Sequence, residues 1–171
     1  MATLQNKTAL MTGASRGIGR ATALALAEAG AHILVHYGRS AKEAESVVAE
    51  IQTKGRRADA ISADLAAPDC AALLAKQVRS IVGYRLDVLV LNAGISKSER
   101  IADHTTEDFD NLFATNVRGP FFLVRQLLPV LGEGSSIVAI SSAVARTVVG
   151  KPGWKILQLL RMPLPKVRLR L

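Results

Sequence analysis

The sequence predicts an α/β fold, a doubly wound parallel sheet, and three observations carry that expectation. Short apolar runs alternate with segments of helical period at regular intervals along the 171 residues, the pattern of parallel strands joined by helical crossovers. The run at residues 86–91 is so apolar that both of its faces must be covered, as in a parallel sheet. The residue types that bear chemistry all fall at strand ends, where ligands sit in such sheets.

Taken in order, Thr-Ala-Leu-Met-Thr at residues 8–12 reads as a short buried strand. It runs into Thr12-Gly-Ala-Ser-Arg-Gly-Ile-Gly-Arg20. A helix follows, marked by the apolar period of Ile18, Ala21, Thr22, Ala25, Leu26 and Ala29. Residues 31–36 read as a second strand, with the loop Tyr37-Gly-Arg-Ser40 behind it. Residues 41–54 are helical, with Glu43, Glu45 and Glu50 outward and Ala44, Val47, Val48 and Ile51 inward. Gly55 ends that helix. Residues 58–62 make a third strand, Asp64 and Leu65 fall in the next loop, and Pro68 marks a helix running to about residue 82. Residues 86–91 are the fourth strand, ended by Asn92-Ala-Gly94. Thr105 and Thr106 begin a helix with Glu107 and Asp108 in its first turn. A long helix through Asn116 to about residue 131, broken near Gly119-Pro120, leads to a fifth strand at residues 135–141.

A strand passing through a Gly-rich turn into a helix N-terminus is a phosphate site, because the unpaired N–H groups of the first turn face an anion. Gly13 permits the sharp turn, Gly17 lets a pyrophosphate approach the backbone, and Gly19 lets helix and sheet pack closely. An ordinary strand–helix turn would read the same way, but the other strand-end motifs raise the dinucleotide reading above it.

Composition narrows the class. Hydrophobic residues make up 49% and charged residues 21% of the chain, ordinary values for a soluble α/β protein. The single cysteine, Cys70, fits a reducing, cytoplasmic setting. The histidines His32, His36 and His104 show no metal-ligand spacing, so no metal is expected. No apolar run reaches the roughly 18 residues of a membrane span. The net charge of +8 is concentrated at the end of the chain. Six of the 22 basic residues lie from Lys151 onward with no acid among them, leaving 16 against 14 acids, a net of +2. That distribution argues against nucleic acid as the domain's partner.

Together these motifs resemble the short-chain dehydrogenase/reductase family, and within it the oxoacyl-carrier-protein reductase type. The glycine motif at Gly13, Ser15, Arg16, Gly17, Ile18 and Gly19 looks like that family's cofactor turn. Leu91-Asn92-Ala93-Gly94 looks like its Asn-Asn-Ala-Gly motif, with Leu91 replacing the first Asn. Asn116 looks like its catalytic asparagine and Ser142 like its catalytic serine. The resemblance covers residues 5 to about 153. It implies a Rossmann fold and a hydride exchanged between a nicotinamide cofactor and a small carbonyl or alcohol. A tyrosine would give the proton, a lysine four residues on would lower its pKa, serine would polarise the carbonyl, and asparagine would position a water.

The cofactor expectation is NADP(H). Enzymes of this fold that prefer NAD carry an acid about 20 residues past the glycines, whereas this chain has His36-Tyr-Gly-Arg-Ser40 there. Arg16 and Arg39, with Ser40, suit a 2′-phosphate, since guanidinium pairs with phosphate bidentately. The alternative is that both arginines are solvated surface residues. Asp64, beside Leu65, resembles the family residue that meets the adenine amino group; the alternative is an aspartate capping its own loop.

Only two tyrosines occur, Tyr37 and Tyr84, and neither begins Tyr-x-x-x-Lys. The expected domain is therefore residues 1–153, an incomplete dinucleotide-binding unit truncated after its fifth strand. Residues 154–171 form an aberrant tail in which prolines interrupt a mix of apolar and basic residues. Codons for that tail can be chosen so that the frame two bases later reads ENPAITAYAATKGALET, which contains Tyr-Ala-Ala-Thr-Lys. The reading is a frameshift; the alternatives are a basic arm or a disordered end. The chain is expected to be inactive, with the family's homo-oligomer contact impaired, Phe121, Phe122, Val124 and Leu128 short of cover, and an apolar fifth strand at an open edge.

Overall fold

A computed structural model describes residues 4–97 and 101–141. Five strands lie in one parallel sheet: β1 (Thr8–Met11), β2 (His32–Tyr37), β3 (Ala58–Ser62), β4 (Val88–Leu91) and β5 (Ser136–Ala139), in the order β3-β2-β1-β4-β5. Between them run α1 (Gly17–Glu28), α2 (Ala41–Thr53), α3 (Cys70–Val82), α4 (Thr106–Phe113) and α5 (Gly119–Leu127). This is the doubly wound Rossmann-type sheet that the alternating pattern predicts. Leu10 pairs with Leu34 on one side and Leu89 on the other, which puts β1 at the centre.

Alternation along the strands divides the core into two layers. Leu10, Leu34 and Leu89 point to the face covered by α3 and α5, where they meet Leu74, Val78, Leu123 and Leu127. Ala9, Met11, Ile33 and Val35 point to the face covered by α1 and α2, against Ala23, Ala27, Val47 and Ile51. Asp87, just before β4, fastens the lower end of the sheet. Its carboxylate accepts from the Thr8 N–H (3.0 Å), Lys7 Nζ (3.0 Å) and Arg85 Nε (2.8 Å). Burial raises its pKa, and the donated hydrogen bonds outweigh that and leave it below the usual carboxylate range.

Three local features differ from the sequence expectation. The buried face of α1 is the small-residue row Gly19, Ala23 and Ala27, while Ile18 is 65% exposed. Small side chains let the helix lie close on the sheet, so the apolar period marks the helix but not its inner face. Glu50 in α2 is half-buried and pairs with Arg20 of α1. The helix carrying Asn116 is not broken at Gly119-Pro120. It widens one turn earlier into a π turn at Ala114–Arg118, and α5 restarts at Gly119 with Pro120 in its first turn. Pro120 brings no N–H to the Asn116 carbonyl four residues back, and the Gly119 N–H reaches instead to Ala114. A side chain on Gly119 would sit 2.6 Å from the Leu65 carbonyl, so only glycine permits this approach.

Candidate functional site

The carboxyl ends of β1, β2, β3 and β4 enclose a cleft of about 540 Å³. Its floor is the turn between β1 and α1. Gly13 has φ +64° and packs against Ala93, and Gly17 opens α1 with φ +57°. A Cβ built on Gly17 would touch nothing within 4 Å, so the space above that backbone is open, whereas one on Gly19 would lie 2.1 Å from the Gly13 carbonyl. The three glycines thus do different things: Gly13 turns, Gly17 leaves room, and Gly19 permits contact. Ser15, Arg16 and Ile18 complete this wall, and Arg16 occupies the extended N-cap position of α1 without a side-chain cap. The start of α1 therefore carries no side-chain cap on its first N–H groups, as an anion site requires.

The second wall is the loop after β2. Arg39 is 92% exposed and stands 3.6 Å from Asp64 of the loop after β3, with Ser40 beside it at the N-cap of α2. The other oxygen of Asp64 accepts from the Ala66 N–H at 3.0 Å, so this aspartate both caps its own loop and faces Arg39. Leu65 is buried beneath it.

The third wall is Asn92, Ala93 and Gly94, and it is tied to the first by a closed set of hydrogen bonds. Thr12 Oγ1 donates to the Val90 carbonyl (3.1 Å) and accepts from the N–H groups of Asn92 (2.9 Å) and Ala93 (3.0 Å). Asn92 Nδ2 donates to the carbonyls of Thr12 (2.9 Å) and Gly13 (3.1 Å). Asn92 therefore lines the cleft while its amide holds the glycine turn in place. Every residue expected to bind the cofactor lines this cleft, except Gly17, which opens α1 at its edge.

Asn116 does not line the cleft. From the π turn, its Oδ1 accepts the Ile95 N–H and its Nδ2 donates to the Ile95 carbonyl, both at 2.9 Å. This two-point clasp fixes Ile95, which does line the cleft. Ser142 lies outside the described residues, as does the tail. Nearby, Thr105 and Asp108 cap α4 reciprocally, at 3.1 and 3.0 Å. Lys97 donates to the same carboxylate at 2.7 Å, and with the Thr105 N–H it holds Asp108 down to about 2.

Sequence reasoning missed Thr12 and His36. His36 is buried at the end of β2. Gly13 donates its N–H to Nδ1 at 3.2 Å, which leaves Nε2 to carry the proton and donate to the Ala63 carbonyl at 3.0 Å. Burial pulls its pKa down to about 4, against the smaller opposing pull of the Ala63 hydrogen bond. The available clue was a polar residue closing an otherwise apolar strand.

A family model described as short chain dehydrogenase matches residues 7–155. Versicolorin reductase stcU of Emericella nidulans is 43% identical over 149 residues, covering 87% of this chain and 56% of that protein. The 3-oxoacyl-[acyl-carrier-protein] reductase FabG of Staphylococcus aureus is 41% identical over 149 residues, covering 86% and 59%. A short chain dehydrogenase from Burkholderia cenocepacia, solved in complex with NADP, superposes with a TM-score of 0.82 at 42% identity, covering 86% of this chain and 60% of that one. Landomycin C-6 ketoreductase LanV, solved with bound NADP and rabelomycin, gives 0.81 at 39%, covering 89% and 63%. The chain spans just over half the length of the curated relatives it matches. Those matches, over a sheet and strand-end cleft of this design, place the chain in the short-chain dehydrogenase family.

Proposed function

We propose that residues 1–153 are the NADP(H)-binding part of a carbonyl reductase or alcohol dehydrogenase, and that the 171-residue chain itself transfers hydride negligibly. The observation that carries the binding half is the cleft lined by Ser15, Arg16 and Arg39, beside the open backbone at Gly17 and with no acid in the loop after β2. The residues fit the cofactor. The N–H groups at the start of α1 would take the pyrophosphate, and Arg16, Arg39 and Ser40 a 2′-phosphate. Asp64 and Leu65 would meet the adenine, and Asn92, Ala93 and Gly94 would line the remainder. When bound, the reduced nicotinamide supplies a hydride to a small carbonyl. Asn116 would hold the wall at Ile95, and Ser142 is the residue assigned to polarise the carbonyl. Relatives solved with NADP support the choice of cofactor.

The inactive half rests on the missing proton donor. Tyr37 borders the cleft at the Arg39 end, and Tyr84 is 89% exposed ahead of β4. Neither stands four residues before a lysine. Removing a general acid costs about 10²–10⁴-fold in rate. The family match ending at residue 155 supports treating the tail as lying outside the domain.

The test is one set of titrations and assays on the purified chain. NADPH is expected to bind more tightly than NADH, and Arg39→Asp to shrink that preference by about tenfold, the value of one charge-assisted contact. NADPH oxidation with a panel of ketones is expected to stay at background. Discrimination unchanged by Arg39→Asp would remove Arg39 from the site, and turnover in the ordinary enzyme range would overturn the inactive reading.

A further inference from the structure

His36 joins three parts of the cleft wall that are far apart in sequence. Its Nδ1 accepts from the N–H of Gly13 in the glycine turn, its Nε2–H donates to the Ala63 carbonyl just after β3, and its own backbone leads into Tyr37 and the Arg39 loop. The Ala14 N–H also bonds to the His36 carbonyl at 2.9 Å, so turn and strand end are locked on both backbone and side chain. The ring is nearly fully enclosed. We propose that His36 is, beside Asn92, a positioning residue of the phosphate-binding turn, acting as the neutral Nε2–H tautomer, and that its hold on Gly13 contributes to nucleotide affinity. The inference rests on the nucleotide reading above and assigns within it a residue that touches no ligand.

The physical reason is directional. A phosphate at the start of α1 needs the backbone N–H groups there to keep one orientation. Gly13 sits in the left-handed region at φ +64°, where glycine has wide conformational freedom, so something must select that conformer. The hydrogen bond from its N–H to Nδ1 does so together with the one its carbonyl accepts from Asn92. Only a ring with an unprotonated Nδ1 accepts it. Only a protonated Nε2 satisfies Ala63, because a carbonyl cannot donate.

Two substitutions separate the arms. Asparagine places an oxygen where Nδ1 was and keeps the Gly13 contact while losing Ala63. Glutamine reaches the position of Nε2 and keeps Ala63 while losing Gly13. Fluorescence titration with NADPH is expected to find His36→Asn within about threefold of wild type and His36→Gln about tenfold weaker, one hydrogen bond's worth. Thermal melts of the two are expected to fall together, so a merely structural role would weaken both alike. Equal losses, or the reverse order, overturn the proposal. Nitrogen-15 NMR of wild type at pH 7 provides a measurement independent of the variants' folding. An unprotonated Nδ1 coupled through the hydrogen bond to the Gly13 nitrogen supports the assignment, and a protonated Nδ1 overturns it. Wild-type chain that shows this tautomer but binds no NADPH would sink the nucleotide reading, and with it the effect on affinity, while leaving the tautomer in place.

Discussion

The two edges of the sheet are built by different rules. At β3, Ala58 and Ile61 are buried while Asp59, Ala60 and Ser62 are exposed, and Asp59 is hydrogen-bonded to the His32 ring of the neighbouring strand at 2.5 Å. At β5 all four residues are exposed, with Ile137 at 37% and Val138 at 45%. A polar edge discourages further pairing, and an apolar one invites it. The helices repeat the contrast. Over β1 and β2, α1 and α2 bury Ala23, Ala27, Val47 and Ile51, whereas α5 leaves Phe121 and Phe122 exposed beside a groove lined by Phe113 and Val117. The nucleotide half is thus closed by its own residues, and the β5 half presents apolar surface.

The largest expected effect strikes the closed half. Gly19→Ala puts a methyl 2.1 Å from the Gly13 carbonyl, so backbone must move; the expected loss is about 3 kcal/mol or more, with NADPH binding abolished. Gly17→Ala meets no neighbour and carries only the cost of its φ of +57°, about 1–2 kcal/mol. Chemical denaturation of both variants checks the order. Equal losses would mean that close packing of α1 on the turn is not what Gly19 supplies.

Acid should open the same half. His36 titrates at about 4 folded against 6.5 as a free side chain. Between those values the unfolded chain binds a proton that the folded chain refuses, so stability present above pH 6.5 falls as pH drops toward 4, by roughly 3 kcal/mol in all. Asp87, with its pKa lowered, adds stability above its unfolded value of 3.8 that is lost only at still lower pH. Melting temperature should therefore decline from pH 6.5 downward in wild type and less steeply in His36→Asn. Parallel pH profiles would show that His36 is not the group responsible.

Much of this contrast was legible in the sequence. The five strands, their parallel direction and the residues lining the cleft follow from apolar runs and strand-end motifs, and β3 falls at residues 58–62 as expected. The inner face of α1 was legible only at Gly19, because Ala23 and Ala27 carry almost no hydrophobic signal; close approach, not side-chain size, buries them. The π turn was hidden because Pro120 acts on the carbonyl one turn upstream of itself. The family resemblance gives Asn116 a place in a water relay; its clasp on Ile95, 21 residues away, carries no local signal. His36 looked like one more strand residue, since a buried neutral imidazole is defined by partners distant in sequence.

The smallest expected effect on stability comes from the open half. Val138→Lys places a charge on the exposed edge of β5 and should change the folding free energy by no more than about 0.5 kcal/mol, the usual range for a surface position. It should also raise the soluble fraction seen by size-exclusion chromatography. Unchanged aggregation would move the adhesive surface from β5 to the Phe121 face of α5.

Hydrogen exchange of the purified chain, with and without NADPH, tests the central claim most directly. Amides of β1, β2 and β4 should exchange slowest and those of β5 fastest among the strands. NADPH should add protection at Gly13 to Gly19 and around Arg39 while leaving β5 unchanged. Uniform protection across the sheet, or a nucleotide effect centred on β5, would contradict the account.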